Sequence, residues 1–266
     1  MAITLKRRNE VRHRADSMTL IEHLTELRRR VLVCAVAFIV AATVAFLLYN
    51  YILSFLKHPY CQVNANHCSL YVTSPLDGLS LRIKISAYGG LFLASPIMLW
   101  ELWRFITPGL HPKEKKYAIP FIVSSIFLFA LGCLVAYYTF PHALQFLDHI
   151  GGPSLQQIYN PNSYLSLILL LMTIFGLTFE FPVLLISLEI AGVLSPQTLG
   201  KWRRWAIVAI VVVAGVVTPS SDPFSMMAMA LPLYFFYEVS IIVGKVIARR
   251  STGEPVSEIE TPTGSP

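Results

Sequence analysis

The fold is decided by one stretch of sequence, HLTELRRRVLVCAVAFIVAATVAFLLY at residues 23–49. Its first eight residues contain a basic cluster, and the 19 residues that follow hold no charge. An apolar run of this length meets the roughly 20 residues that a helix requires to cross a bilayer. Lys and Arg collect at the cytoplasmic ends of such helices. The stretch therefore predicts a membrane helix that begins at a cytoplasmic surface.

Composition extends this prediction to the whole chain. The 266 residues are 55% hydrophobic and 14% charged, with a mean hydropathy of +0.60, whereas about 25% of residues in soluble domains are charged. The net charge is +6, and the basic residues flank apolar segments instead of forming one patch. This distribution indicates contact with membrane lipid and argues against binding of nucleic acid. We expect no removable signal peptide, because no short apolar stretch with a small-residue cleavage site opens the chain.

Six apolar segments predict an all-α membrane protein with six transmembrane helices. They are residues 31–49, 85–106, 117–140, 164–188, 205–217 and 224–247. The fifth has 13 residues, or about 20 Å of helix against a hydrocarbon core of about 30 Å. We expect the last two helices to be short, and either the turn between them dips into the membrane or the bilayer thins there.

The distribution of Lys and Arg predicts that both termini are cytoplasmic. If the six segments alternate in direction, 18 of the 21 Lys and Arg residues lie on one side. Only Lys57, Arg82 and Lys84 lie on the other side.

Three regions follow from this topology. They are an N-terminal cytoplasmic tail at 1–16, a six-helix membrane domain at 17–250 and a C-terminal cytoplasmic tail at 251–266. The C-terminal tail is rich in Pro, Thr, Ser, Gly and Glu, which predicts disorder.

Glu26 is an acid within the basic cluster that precedes the first span. Thr19 and Glu22 fit a capping box, so we predict an amphipathic helix that leads into the span along the membrane interface. Two partners are open to Glu26. It pairs with Arg29 or Arg30 on its own helix, which the spacing favours, or it accepts a guanidinium from another chain.

Two further acids lie near cytoplasmic ends of the predicted spans. Glu114, in HPKEKK at 111–116, is on the same side as Glu26, and a place in the first turn of a helix would by itself account for it. Glu101 and Arg104 are three residues apart, which predicts an ion pair within one helix.

Glu180 is an acid inside the fourth predicted span. Charge at that depth costs roughly 2.5–3.5 kcal/mol on insertion scales, so the carboxyl should be neutral, paired or in contact with water. It is a protonated group bonded to a neighbouring helix, a proton site, or a docking point for another membrane helix. Pro182 predicts a kink beside it.

Asp222 and the two outer cysteines have structural interpretations. Asp222 precedes Pro223 and predicts a cap for the last helix, whereas Glu238 in that helix has no evident partner. Cys61 and Cys68 lie in a loop on the oxidising side, so a disulfide is plausible.

Catalytic and metal-binding motifs are missing from the sequence. We find no phosphate-binding loop, no metal-binding His-Glu-x-x-His helix and no nucleophile elbow, and the histidines near Cys61 match no zinc signature. We therefore predict a protein that is not an enzyme, with no cofactor and no metal.

Several blocks of this sequence, in this order, resemble the TatC family of twin-arginine translocase subunits from residue 17 to about residue 250. The blocks are HLTELR at 23–28, SP at 74–75, LWRFITPGL at 102–110 followed by Glu114, FGLTFEFP at 175–182, and TP at 218–219 followed by Asp222. The resemblance implies a receptor in the bacterial cytoplasmic membrane that binds export signal peptides bearing two adjacent arginines. It also implies a multi-copy complex with TatA- and TatB-type single-span subunits, which moves folded cargo proteins with the proton-motive force.

The resemblance also implies roles for single residues. Glu26 and Glu114, with Arg28 beside the first, would receive the two arginines. Glu180, with Thr218, would contact a partner subunit along the edge formed by the short last helices.

Two more positions, Pro59 in the first outer loop and Asp222, match family positions tied to activity. The chain departs from the family pattern at Met226, where some members have a polar residue, and at Glu101, where others have Gln. An alternative function, from the residues alone, is a proton-coupled small-solute transporter that uses Glu180. An intramembrane enzyme lacks a nucleophile and a base.

Overall fold

A computed structural model describes residues 20–63, 68, 70–72, 74–106, 118–150, 160–190, 192–218 and 222–252. Within these residues every regular element is an α-helix. The helices are α1 (Leu20–Leu47), α2 (Tyr49–Val63), α3 (Asp77–Ile106), α4 (Ala118–Ile150), α5 (Pro161–Thr178), α6 (Phe181–Ile190), α7 (Pro196–Lys201), α8 (Arg203–Val217) and α9 (Pro223–Thr252). The predicted N-terminal tail, Glu114 and the chain after Thr252 lie outside the described residues.

Five stretches of the described chain are long and apolar enough to cross a membrane. They are Leu24–Leu47, Asp77–Ile106, Ile119–Ile150, Pro161–Ile190 and Pro223–Val246. The predicted short segment is present as α8, whose 15 residues make about 22 Å of helix. The expectation of a short last helix was wrong, because α9 has 30 residues and continues beyond its apolar part as far as Thr252.

Pro59 lies in a helix and not in the loop that we expected. Proline at position 59 has no N–H to offer the carbonyl of Phe55, four residues earlier. The hydroxyl of Tyr137 on α4 donates to that carbonyl at 3.0 Å, and the Tyr164 hydroxyl on α5 donates to the neighbouring carbonyl of Leu56 at 2.8 Å. These two bonds from distant tyrosines allow α2 to contain the proline.

The core lies around α5. Over half (56%) of the apolar window in Pro161–Ile190 is buried, against 11% in Leu24–Leu47. Phe140, Leu165, Ile168 and Phe175 are fully buried there. Helix α1 is held mainly by α3, where a Cβ on Gly90 would lie only 2.7 Å from the Cβ of Ala42. This close approach fixes how the charged ends of α1 and α3 meet.

The predicted kink beside Pro182 is a two-residue break in the helix, between α5 and α6. Residues Phe179 and Glu180 form a turn, with the Glu180 N–H donating to the carbonyl of Leu177 at 3.2 Å. Pro182 cannot donate to the carbonyl of Thr178, so the α-helical ladder is interrupted there. The break places Glu180 between the end of α5 and the start of α6.

Candidate functional site

The N-terminal half of α1 and the C-terminal end of α3 meet through Arg30. Its guanidinium forms an ion pair with Glu26, one turn earlier on α1. Its Nη1 donates to the backbone carbonyl of Glu101 at 3.1 Å and lies 3.8 Å from Glu101 Oε2. Of the two partners open to Glu26, the structure therefore shows one on its own helix. The predicted pair of Glu101 with Arg104 was wrong, because the carboxylate of Glu101 faces Arg30 on another helix.

This cluster has one negative charge more than it can balance internally. Two carboxylates surround a single guanidinium, whose side chain is only 11% exposed. Glu26 Oε2 is buried and has no hydrogen-bond partner among the described residues. A buried acceptor without a donor is unfavourable, so the site can accept a further N–H donor that carries positive charge. The ring of Phe105, 6.0 Å from the Arg30 guanidinium, provides one wall.

The other predicted members of this site are not brought together with Glu26 in the described structure. Arg28 and Arg29 are exposed on α1. Glu114 lies in the segment after α3, outside the described residues.

A second polar site lies at the α5–α6 break. Glu180 is only 8% exposed, and its Oε1 has no hydrogen-bond partner in the described part of the chain. The side chain of Ser125 on α4 is a near neighbour of the Glu180 carboxyl group. Ser125 also accepts a hydrogen bond at 2.6 Å from Nε1 of Trp103 on α3. An acid, a hydroxyl and an indole thus form a buried polar group within the apolar core.

Thr218 does not join this group. It is buried, but its hydroxyl donates to the carbonyl of Ala214 at 2.7 Å, and no hydrogen bond links it to Glu180 within the described residues. Asp222 caps α9 as predicted, since its Oδ1 accepts from the N–H of Ser225 at 2.7 Å. The cap fixes the start of α9.

Two acids have surroundings that the sequence did not indicate. Glu238 on α9 pairs with Arg203 at the start of α8, with Nη2 and Oε2 2.8 Å apart. Glu189 on α6 lies against Gly244, where a Cβ would overlap its carboxylate, and neither of its oxygens has a hydrogen-bond partner among the described residues. It directly follows the fourth predicted span, nine residues after Glu180, and this position was the signal that could have drawn attention to it.

A disulfide joins Cys61 at the end of α2 to Cys68, with the Cα atoms 4.9 Å apart. It closes the segment that follows α2 and ties it to the helix that contains Pro59. No group of three or more His, Cys, Asp or Glu side chains suited to a metal ion occurs among the described residues.

Comparisons with known proteins agree on one family. Residues 22–232 match the family model described as Sec-independent protein translocase protein (TatC). A protein named Sec-independent protein translocase protein TatC from Frankia casuarinae is 40% identical over 264 residues, which cover 94% of this chain and 72% of that protein. A protein of the same name from Aquifex aeolicus is 38% identical over 236 residues, which cover 88% of this chain and 97% of that protein.

Solved structures show the same similarity in three dimensions. A crystal structure described as the twin arginine translocase receptor TatC superposes with a TM-score of 0.71 at 37% sequence identity. The match covers 86% of this chain and all of the other one. A crystal structure of the same receptor in the detergent DDM gives a TM-score of 0.72 at 37% identity, over 84% of this chain and 99% of the other.

Proposed function

The chain belongs to the TatC family of Sec-independent protein translocase proteins, and we propose that it binds export signal peptides with two adjacent arginines. It is a membrane-spanning component of a protein translocase. Family membership supports this function over a proton-coupled solute transporter. The observation that carries the proposal is the excess negative charge around Arg30, with the free Oε2 of Glu26.

Physical chemistry supports a carboxylate receptor at this place. A guanidinium that leaves water at a membrane interface is costly unless a carboxylate pairs with it. Arginine forms two parallel hydrogen bonds with a carboxylate, and lysine cannot do so. The exposed Arg28 and Arg29 repel other cationic segments, which adds to selectivity. We assign Glu26 to one arginine of the ligand and Glu114 to the other.

The proposed topology follows from charge and helix length. Both termini are in the cytoplasm of a bacterium, and α8 is the fifth of six spans in the cytoplasmic membrane. Support comes from the 18 Lys and Arg residues that this topology places on one side and from the short, apolar α8. Because α8 is shorter than the hydrocarbon core, the bilayer thins around it.

We further assign Glu180 to contact with a single-span subunit of the TatA or TatB type. Its buried position and its free Oε1 support this role, because a polar residue of an incoming membrane helix would find an unused acceptor. We also place Thr218 in that contact surface. Several copies of such a complex then move folded cargo with the proton-motive force.

Pro59 and Asp222 act through the positions of helices in this proposal. Pro59 lies in α2, whose carbonyl groups are bonded by Tyr137 and Tyr164, and Asp222 caps α9. We also propose that Cys61 and Cys68 are oxidised in the working protein. Alkylation with and without reductant tests this, because equal labelled masses would show free thiols.

Photocrosslinking tests the receptor function directly. A photoreactive residue replaces Leu24 or Leu27, which are exposed beside Glu26, and Tyr51 on α2 serves as the control position. A signal peptide with Arg-Arg is expected to crosslink at the first two positions and a Lys-Lys peptide much less. Equal crosslinking of both peptides would contradict the proposal.

A further inference from the structure

We propose that Arg30 is an internal competitor for the carboxylate that receives the incoming arginine. Ligand binding then exchanges one guanidinium for another at Glu26. The inference rests on the proposed recognition of arginine by this site. It adds that the unliganded site is already occupied by a group of the same chemistry as the ligand.

The contacts of Arg30 are those of a bound arginine. Its guanidinium meets a carboxylate at Glu26, a backbone carbonyl at Glu101 and an aromatic ring at Phe105. Its side chain is as well covered as that of a ligand in a formed site, at 11% exposure. The neighbouring Arg29 is exposed, although it has the same charge and lies on the same helix. Oε2 of Glu26 can take a first bond from an incoming cation, but full pairing of that cation with the carboxylate requires Arg30 to leave it.

Glu101 provides a second carboxylate for Arg30 after its displacement from Glu26. When a ligand takes Glu26, Arg30 keeps its bond to the Glu101 carbonyl and can shorten the present 3.8 Å to Glu101 Oε2. Its charge stays paired, so displacement does not leave an uncompensated cation in a half-buried site. Glu101 is thus a positioning residue, which acts on the ligand through Arg30.

Internal competition has a defined thermodynamic consequence. The apparent dissociation constant of a ligand is its intrinsic value divided by the fraction of sites that are free. Arg30 lowers that fraction for every cationic ligand alike. Removing it should strengthen the binding of Arg-Arg and Lys-Lys peptides by the same factor, and the ratio of the two affinities should stay constant.

The test measures both peptides on the full-length protein in lipid nanodiscs. We expect Arg30→Gln to lower the dissociation constant of each peptide by the same factor, about 3- to 10-fold. Arg30→Lys keeps the charge but not the planar fork, so it should give a smaller gain in the same direction. The control Arg29→Gln removes an exposed charge from the same helix and is expected to change both constants by less than about twofold.

An increase in the dissociation constants would overturn the inference. If Arg30→Gln or Arg30→Lys weakens binding, Arg30 holds Glu26 in place for the ligand and does not compete with it. Failure of the proposed receptor function would give a different result. The unaltered protein would then bind the Arg-Arg and Lys-Lys peptides equally, and Glu26→Gln would change neither dissociation constant.

A double mutant tests the assignment of Glu101. We expect Glu101→Gln to weaken binding, because displaced Arg30 loses its second carboxylate. In the Arg30→Gln background the same change should have much less effect. An equal loss in both backgrounds would show that Glu101 contacts the ligand itself.

Discussion

Glu26 and Glu180 compare two ways of holding an acid in a membrane protein. Glu26 shares the Arg30 guanidinium with Glu101, near the exposed ends of α1 and α3. Glu180 is buried at the α5–α6 break, where its near neighbour is the hydroxyl of Ser125 and no ion pair forms among the described residues. Each carboxyl group nevertheless retains one oxygen without a hydrogen-bond partner in the described chain.

The difference indicates two kinds of ligand. A site that already contains a guanidinium and two carboxylates suits a cation that arrives from water. A single acid among apolar side chains suits a polar group that arrives through lipid, because a free cation would not enter there. The comparison therefore predicts that the two sites can be disabled one at a time.

The largest expected effect is at Glu180. Glu180→Ala should reduce copurification of a single-span partner about tenfold or more, since an unmatched buried polar group costs about 1–3 kcal/mol. Binding of the Arg-Arg peptide should survive. Glu189→Gln is the control and should leave association intact, because the carboxylate of Glu189 packs against Gly244 of α9 within the chain. Retained association in Glu180→Ala would reassign Glu180 to internal packing.

The reciprocal change is Glu26→Gln. It should weaken binding of the Arg-Arg peptide about tenfold, because hydrogen bonds to charged groups contribute about 1.5–3 kcal/mol. Partner copurification should not change. Peptide titration in nanodiscs measures the effect, with Glu238→Gln as the control because it breaks an ion pair on other helices. If Glu238→Gln weakens peptide binding equally, the effect is one of general charge and not of the site.

Ionic strength should affect peptide binding at Glu26 and partner association at Glu180 to different extents, without any mutation. Raising the ionic strength from about 0.05 M to about 0.5 M shortens the screening length to a few ångströms. Peptide binding at the half-exposed Glu26 should then weaken severalfold. Partner association at the buried Glu180 should change by less than about twofold, and similar losses at both would remove the distinction.

The smallest expected effect is at Trp103, which bonds to Ser125 near Glu180. Trp103→Phe removes the bond to Ser125 and should lower the free energy of unfolding by about 1 kcal/mol. Partner association should fall less than in Glu180→Ala. Thermal unfolding in detergent measures the stability change, and Trp100→Phe on the same helix is the control because Trp100 is half exposed. Equal shifts in both variants would mean that the hydrogen bond contributes nothing specific.

Local features were predictable from the sequence. The Asp222 cap depends on residues within three positions, and the pair of Glu26 with Arg30 depends on one helical turn. The short α8 and the break beside Pro182 also follow from apolar length and from the missing N–H of proline. Each of these required no knowledge of which helices are neighbours.

Contacts between distant parts of the chain were not predictable. Glu101 contacts Arg30, 71 positions earlier in the chain. No local signal in the sequence ranks Arg30 above Arg104 as the partner of Glu101. The helix around Pro59 depends on a hydroxyl from Tyr137, 82 positions from the carbonyl that it bonds. Helix packing decides both, and a single sequence records packing only through which residues are apolar.

Trp103 also gives the protein an optical property. Of the four tryptophans, Trp202 and Trp205 are more than 60% exposed and Trp100 is 46% exposed, whereas Trp103 is 2% exposed. Brominated lipids should therefore quench the first three and leave the emission of Trp103. That remaining signal comes from an indole bonded to Ser125 near Glu180, so it can follow a change at that site in real time without an added dye.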